Sequence, residues 1–428
     1  MAKIAEITTL LPPMLSGDDL AEEIGCFPLY DPDVIYADKT ERLVALSDLY
    51  KVYVPSTMLS EIYSKLYLAL VRSLQKKGSN LAVRQFNENR KAILQREYTG
   101  LMGGSDSFTI IGASGIGKSS TIARSIALIS GHDILSIDEP LTKVIPCVIV
   151  QCPFDASVKG MLLEILRTVD ESLGSRYYEC AVRGHATTDM LIGSVSQVAL
   201  NHIGILIVDE IQNVANSKNG KILIGALTQL INNSGISICM VGTPESAVFF
   251  EQGMQLARRS LGLQYGRMEY DEQFAMLCRK LLQYQYVRNL ADITDALIFW
   301  LYEHSQGITA LVVSLIHDAQ EISILTGHEA LDIPSLEEAY RKRLTMMHGY
   351  LQMPVRKTSG KKPGRKAGNT SRYMNTAGES QEISINDVKL MVNPERLSIS
   401  ECVRIAKSTG SDVVRLLMEY YAVDEVPV

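Results

Sequence analysis

The sequence predicts an α/β architecture: a parallel five-stranded sheet covered by helices, then a small helical unit, then a C-terminal helical extension. Three observations predict it. Continuous β-branched runs alternate with helix-compatible segments, the pattern of a parallel sheet buried on both faces. The first run, residues 108–111, enters a glycine-rich loop of the form G-x-x-x-x-G-K-[ST] and leads directly into a helical segment. From residue 271 strand signals cease, while helical periodicity continues to residue 345.

Composition sets the bounds. The 428 residues are long enough for two or three domains, and 46% hydrophobic with 21% charged residues describes a globular chain. No apolar run approaches the roughly 20 residues a membrane span needs. The N-terminal run is broken by Lys3 and Glu6, so no secretory signal is expected and the chain reads as cytoplasmic. The seven cysteines form no C-x-x-C pair. Cys147 and Cys152, flanking a predicted buried strand, read as small core residues rather than metal ligands. A net charge of −6 excludes a uniformly basic nucleic-acid binder.

In chain order, residues 1–50 carry turn signals and read as an irregular extension. A long amphipathic helix follows over 53–74, with Leu59, Ile62, Tyr63, Leu66, Leu70 and Leu74 on one face. A basic stretch with Lys76, Lys77, Arg84, Arg90, Lys91 and Arg96 reads as a solvated helix face, with a surface facing phosphates or a partner as the alternative. The strands are expected at 108–111, 144–151, 203–209, 236–242 and 266–270. Helices over 291–304 and 309–326 belong to the unit behind the sheet. Seven basic residues between Arg356 and Arg372, with no acid among them, mark a flexible basic linker. Apolar periodicity returns after residue 383.

The chemistry gathers around the loop. Gly112, Gly115 and Gly117 allow the backbone, through Ser114 and Ile116, to turn its N–H groups inward around a phosphate. The helix starting near Lys118 and Ser120 offers the same anion its positive end. Lys118 reaches the β/γ-phosphates and Ser119 suits Mg²⁺. Asp209 and Glu210 stand at the carboxyl end of a buried strand. Asp209 suits Mg²⁺, and Glu210 suits activation of an attacking water. Thr243, ending the fourth strand, is placed for the γ-phosphate or that water.

Loop, acidic pair, polar strand end, the paired Arg258 and Arg259, and a helical unit, in this order, resemble the AAA+ ATPases over about residues 50–345. The sequence departs from many of them in one respect: residues 305–316, SQGITALVVSLI, carry Thr309 and Ala310 where a lid arginine is usual. Within that class, IGASGIGKSS, CPFDASVKGMLLEIL, ILIVDEIQNV and MVGTPE followed by ARRS are similar to regulators of bacterial cut-and-paste transposition, the TnsC/TniB/MuB group. The resemblance implies a Mg²⁺-dependent ATPase in which Arg258 or Arg259 reaches a neighbouring subunit's nucleotide. It implies a ring or helical filament of copies on double-stranded DNA; Lys159 and the basic, Thr-rich turn with Arg183, Thr187 and Thr188 are the candidates for the phosphate contacts, which give non-specific, salt-dependent binding. It also implies transposase and target-selection partners, a bacterial cytoplasmic setting, and hydrolysis-driven disassembly.

The expected organisation is an N-terminal extension over 1–50, an α/β nucleotide-binding core over 51–270, and a helical lid over 271–353. A basic linker follows over 354–382, then a C-terminal module over 383–428 that the resemblance assigns to partner binding. Two alternatives stay open: an origin-binding or helicase-loading protein of the same class, and a signalling NTPase indifferent to DNA.

Overall fold

The computed structural model describes residues 10–77, 79–95, 107–131, 134–138, 141–215, 217–246 and 262–343. Arg258, Arg259, the basic linker and the C-terminal module lie outside the described residues.

Six strands form one sheet: β1 (Phe108–Gly112), β2 (Leu135–Asp138), β3 (Leu141–Gln151), β4 (Ile203–Asp209), β5 (Ser237–Gly242) and β6 (Leu263–Tyr265). Their spatial order is β2-β3-β4-β5-β1-β6. The five strands from β3 to β6 run parallel, whereas β2 pairs antiparallel with β3. The expected five-stranded sheet therefore gains an edge hairpin strand. The expected strand at 266–270 lies instead at Leu263–Tyr265, paired to β1, and the residues after it leave the sheet toward the helical unit.

The period of two along each strand divides the core. On β4, Leu206 and Val208 face one layer and Ile205 and Ile207 the other; on β5, Ile238 and Met240 oppose Cys239 and Val241. The first layer is covered by α6 (Val158–Leu173), α8 (Thr188–His202) and α10 (Gly220–Ser234). The second is covered by α3 (Thr57–Lys77) and α5 (Lys118–Ser130). Every residue of β1 and β5 is buried, which explains why their runs lack polar alternation. Lys77, expected on a solvated face, instead donates from Nζ to the carbonyls of Ala199 and Leu200, each at 2.6 Å, and so caps the end of α8.

Residues 10–56 are not irregular. They contain α1 (Gly17–Ile24), α2 (Lys39–Ala45) and two 3₁₀ turns. The Asp38 side chain accepts the Glu41 N–H at 2.8 Å and so caps the start of α2. Leu46 and Leu49, fully buried, belong to the core of the helical lid formed by α11 (Glu272–Leu281), α12 (Asp295–Ser305), α13 (Thr309–Thr326) and α14 (Ile333–Arg343). The sequence is apolar almost all round on α12 and α13 because they form the centre of this second core. Among the described residues no single helix is long and apolar enough to cross a membrane.

Candidate active site

The parallel register brings the carboxyl ends of β1, β4, β5 and β6 to one edge of the sheet, where Asp209, Gly242 and Tyr265 line one cavity of about 670 Å³ together with Ser114 to Lys118 of the loop after β1. The loop after β1 and the start of α5 form its floor. Gly117, the residue before α5, has φ +95°, a conformation that an L side chain rarely adopts. Lys118 donates from Nζ to the carbonyls of Gly112 at 2.7 Å and Ala113 at 2.9 Å. Burial holds its ammonium below the usual lysine range, against the opposing influence of Asp209, Glu210 and Glu245. A bound anion would favour its charged form.

The acidic strand end faces this floor. Ser119 Oγ donates to Asp209 Oδ2 at 3.2 Å. A hydroxyl and a carboxylate converging at this distance are hard oxygen donors of the kind Mg²⁺ takes, so the residues present fit that ion. Glu210 has φ +57°, and its N–H donates to Asp209 Oδ1 at 2.8 Å. The turn gives the two adjacent carboxylates different partners, Ser119 for Asp209 and Gln212 for Glu210. Gln212, which the sequence reading passed over, connects Glu210 to the neighbouring strand end. Its Nε2 donates to Glu210 Oε2, and its Oε1 accepts the Thr243 N–H at 3.3 Å. The Thr243 hydroxyl donates to Glu245, and that bond lowers the Glu245 carboxyl below its usual range.

The remaining walls come from two segments whose side chains carry no motif. Val52 and Val54, from the chain before α3, pack with Leu277 and Val313 of the lid and give the cavity an apolar wall. Arg267, after β6, also lines it and donates to Gln306 of the lid. Thr309 and Ala310, at the position without a lid arginine, sit directly on the loop: Thr309 Oγ1 and the Ala310 N–H donate to the Gly115 carbonyl at 2.8 and 2.9 Å.

The four residues expected to face DNA occupy different situations. Lys159 is exposed in the first turn of α6. Arg183 ends α7 (Tyr177–Arg183) and pairs with Glu179. Thr187 caps α8 by accepting the Met190 N–H, and Thr188 is half-buried. The loop before Lys159 is tied to a second basic segment, because the Asp155 carbonyl accepts from Ser217 Oγ at 2.8 Å and Asn219 Nδ2 at 3.3 Å. Lys218 and Lys221 are exposed there, and Phe154 beside them is 90% exposed. Only the tertiary contact reveals that these lysines and Lys159 belong to one edge.

A family model described as "Bacterial TniB protein" matches residues 87–265. That span runs from the helix preceding β1 to the end of β6. A search of curated proteins finds no match. Among solved structures, the chain is similar to the ORC2 protein of Aeropyrum pernix in ADPNP-ADP complexes, at 17% identity and TM-score 0.39, covering 61% of this chain and 66% of that one. It is similar to the Aeropyrum pernix ORC1 protein in complex with DNA, at 15% identity and TM-score 0.39, covering 61% and 64%. The Drosophila ORC bound to DNA matches at 13% identity and TM-score 0.40, covering 98% and 84%. The chain thus spans just under two thirds of the length of the first of these relatives. The strand order, the loop after the central β1, the acidic end of β4 and the helical lid together make the fold a P-loop AAA+ core with a helical extension.

Proposed function

We propose that the chain is an ATPase that assembles on double-stranded DNA and links target selection to a transposase, as a TnsC-like regulator of DNA transposition. The observation that carries the enzymatic part is the convergence of Lys118, Ser119, Asp209 and Glu210 at one end of a cavity large enough for a nucleotide. In this reading the loop N–H groups and Lys118 hold the phosphates, and the base lies against Val52, Val54, Leu277 and Val313. Ser119 and Asp209 would hold Mg²⁺, which when bound supplies positive charge against the phosphate oxygens. Glu210 takes a proton from the attacking water, while Gln212 fixes the carboxylate and ties it to Thr243. Arg258 or Arg259 completes the site of a neighbouring copy.

The DNA part rests on the match to the family model over 87–265 and on the exposed Lys159, Lys218 and Lys221. These lysines contact phosphates without reading sequence. Hydrolysis then disassembles the oligomer, and the transposase and target selector bind elsewhere on the chain.

Electron microscopy of the full chain with duplex DNA and a non-hydrolysable ATP analogue tests the reading, with Lys118→Ala as control. Nucleotide-dependent rings or filaments on duplexes of unrelated sequence are expected, and none from the variant. A wild-type chain that stays monomeric on DNA overturns the proposal.

A further inference from the structure

The lid grips the phosphate loop through one carbonyl. Gly115 O accepts both the Thr309 hydroxyl and the Ala310 N–H, at 2.8 and 2.9 Å. Ile308, the residue before α13, supplies no side-chain cap, so the loop carbonyl itself satisfies a first-turn N–H of that helix. The approach is tight for a side chain on Gly115. A Cβ there would lie 3.0 Å from Ile308 Cγ2 and 3.2 Å from Ala310 Cβ, at a backbone φ of +80°. The turn ahead of α13 is held from its other side, where the Met268 N–H donates to the Gly307 carbonyl at 3.0 Å.

A trans peptide points its C=O and its N–H in opposite directions. Fixing the Gly115 carbonyl on the lid therefore turns the Ile116 N–H away from the lid. We infer that Thr309 is a positioning residue for nucleotide binding: together with the Ala310 N–H it holds the Gly115–Ile116 peptide so that the Ile116 N–H faces the bound phosphate. The inference rests on the nucleotide reading of this cavity. It gives the lid a route to the nucleotide that needs no arginine. When the lid is seated, one amide donor of the cradle is oriented in advance; when it lifts, that peptide is free to rotate and the cradle loses a donor. Such a donor contacts phosphate in both the ground and transition states, so it contributes uniform binding rather than rate.

The test compares Thr309→Val and Thr309→Ala, which both delete the hydroxyl, with Thr309→Ser, which keeps it. Affinity for a non-hydrolysable ATP analogue, KM and kcat are measured, and thermal melts without nucleotide confirm folding. The hydroxyl-deleted variants should raise KM and weaken analogue binding by roughly five- to tenfold, the effect of one hydrogen bond, with kcat within about twofold of wild type. Thr309→Ser should match wild type. Wild-type affinity in both deleted variants, or failure of serine to restore it, overturns the inference while leaving the nucleotide site in place. A wild-type chain that binds no nucleotide overturns the site reading and the inference together.

Discussion

Arg42, 1% exposed, forks onto both carboxylate oxygens of Glu329, at 2.6 and 2.7 Å, and donates further to the Tyr286 carbonyl at 3.0 Å. The pair fastens α2 to the loop after α13 and so makes α2 part of the lid. Breaking one side of a buried pair strands the other charge, at a cost of about 3–5 kcal/mol. Glu329→Gln should lower chemical-denaturation stability by about that much. A double variant with Arg42→Met should recover part of the loss, because no charge is then left buried. Equal stability of the single variant and wild type would remove the pair from the fold's support.

The same pair sets an acid response. The hydrogen bond from Arg42 holds the Glu329 carboxyl below its usual range. Its contribution is fully present above the unfolded glutamate pKa, about 4.3. It is lost as pH falls through the lower folded value. Stability profiles of wild type and Glu329→Gln should therefore run parallel above about pH 5 and converge below it. Parallel curves throughout would contradict the depressed carboxyl.

Glu210 and Gln212 separate chemistry from orientation. Glu210→Gln should retain ATP binding and lower kcat by about 10²–10⁴, the usual worth of a general base. Gln212→Ala leaves the carboxylate present but untied from Thr243, and should lower kcat by roughly tenfold, about the worth of one hydrogen bond. Single-turnover hydrolysis reads both, and unchanged turnover in Glu210→Gln would take it out of the base role.

The exposed lysines should declare themselves through salt. In fluorescence anisotropy on duplexes of two unrelated sequences, Lys159→Ala, Lys218→Ala and Lys221→Ala should each reduce the slope of log K against log salt by about 1, equally for both sequences. Phe154→Ala should leave that slope intact. A slope unaltered by all three lysine variants would move the DNA surface elsewhere.

The convergence of Lys118, Ser119, Asp209 and Glu210 is legible in the sequence because they lie in two short stretches, each at the end of a strand whose continuous apolar run is easily seen. The three-residue β6 is too short for any periodicity, so its position was misjudged by a few residues. The antiparallel β2, four residues long, gave no signal distinct from a loop. Gln212 matters only because β4 and β5 end side by side, a fact held in the sheet order and not in the local sequence. Thr309 was visible as a missing arginine, but its bond to Gly115 spans 194 positions of chain. The N-terminal helices were hidden because the polar residues that start them also serve as turn signals.

The Arg42–Glu329 contact joins positions 287 residues apart. At ribosomal rates of about 5–20 residues per second, roughly 15–60 s separate the synthesis of its two halves. Until residues 272–326 follow, Leu46 and Leu49 have no lid helices to enter, although both are fully buried in the finished molecule. The segment from Arg42 to Leu49 is thus among the last parts to reach its final place.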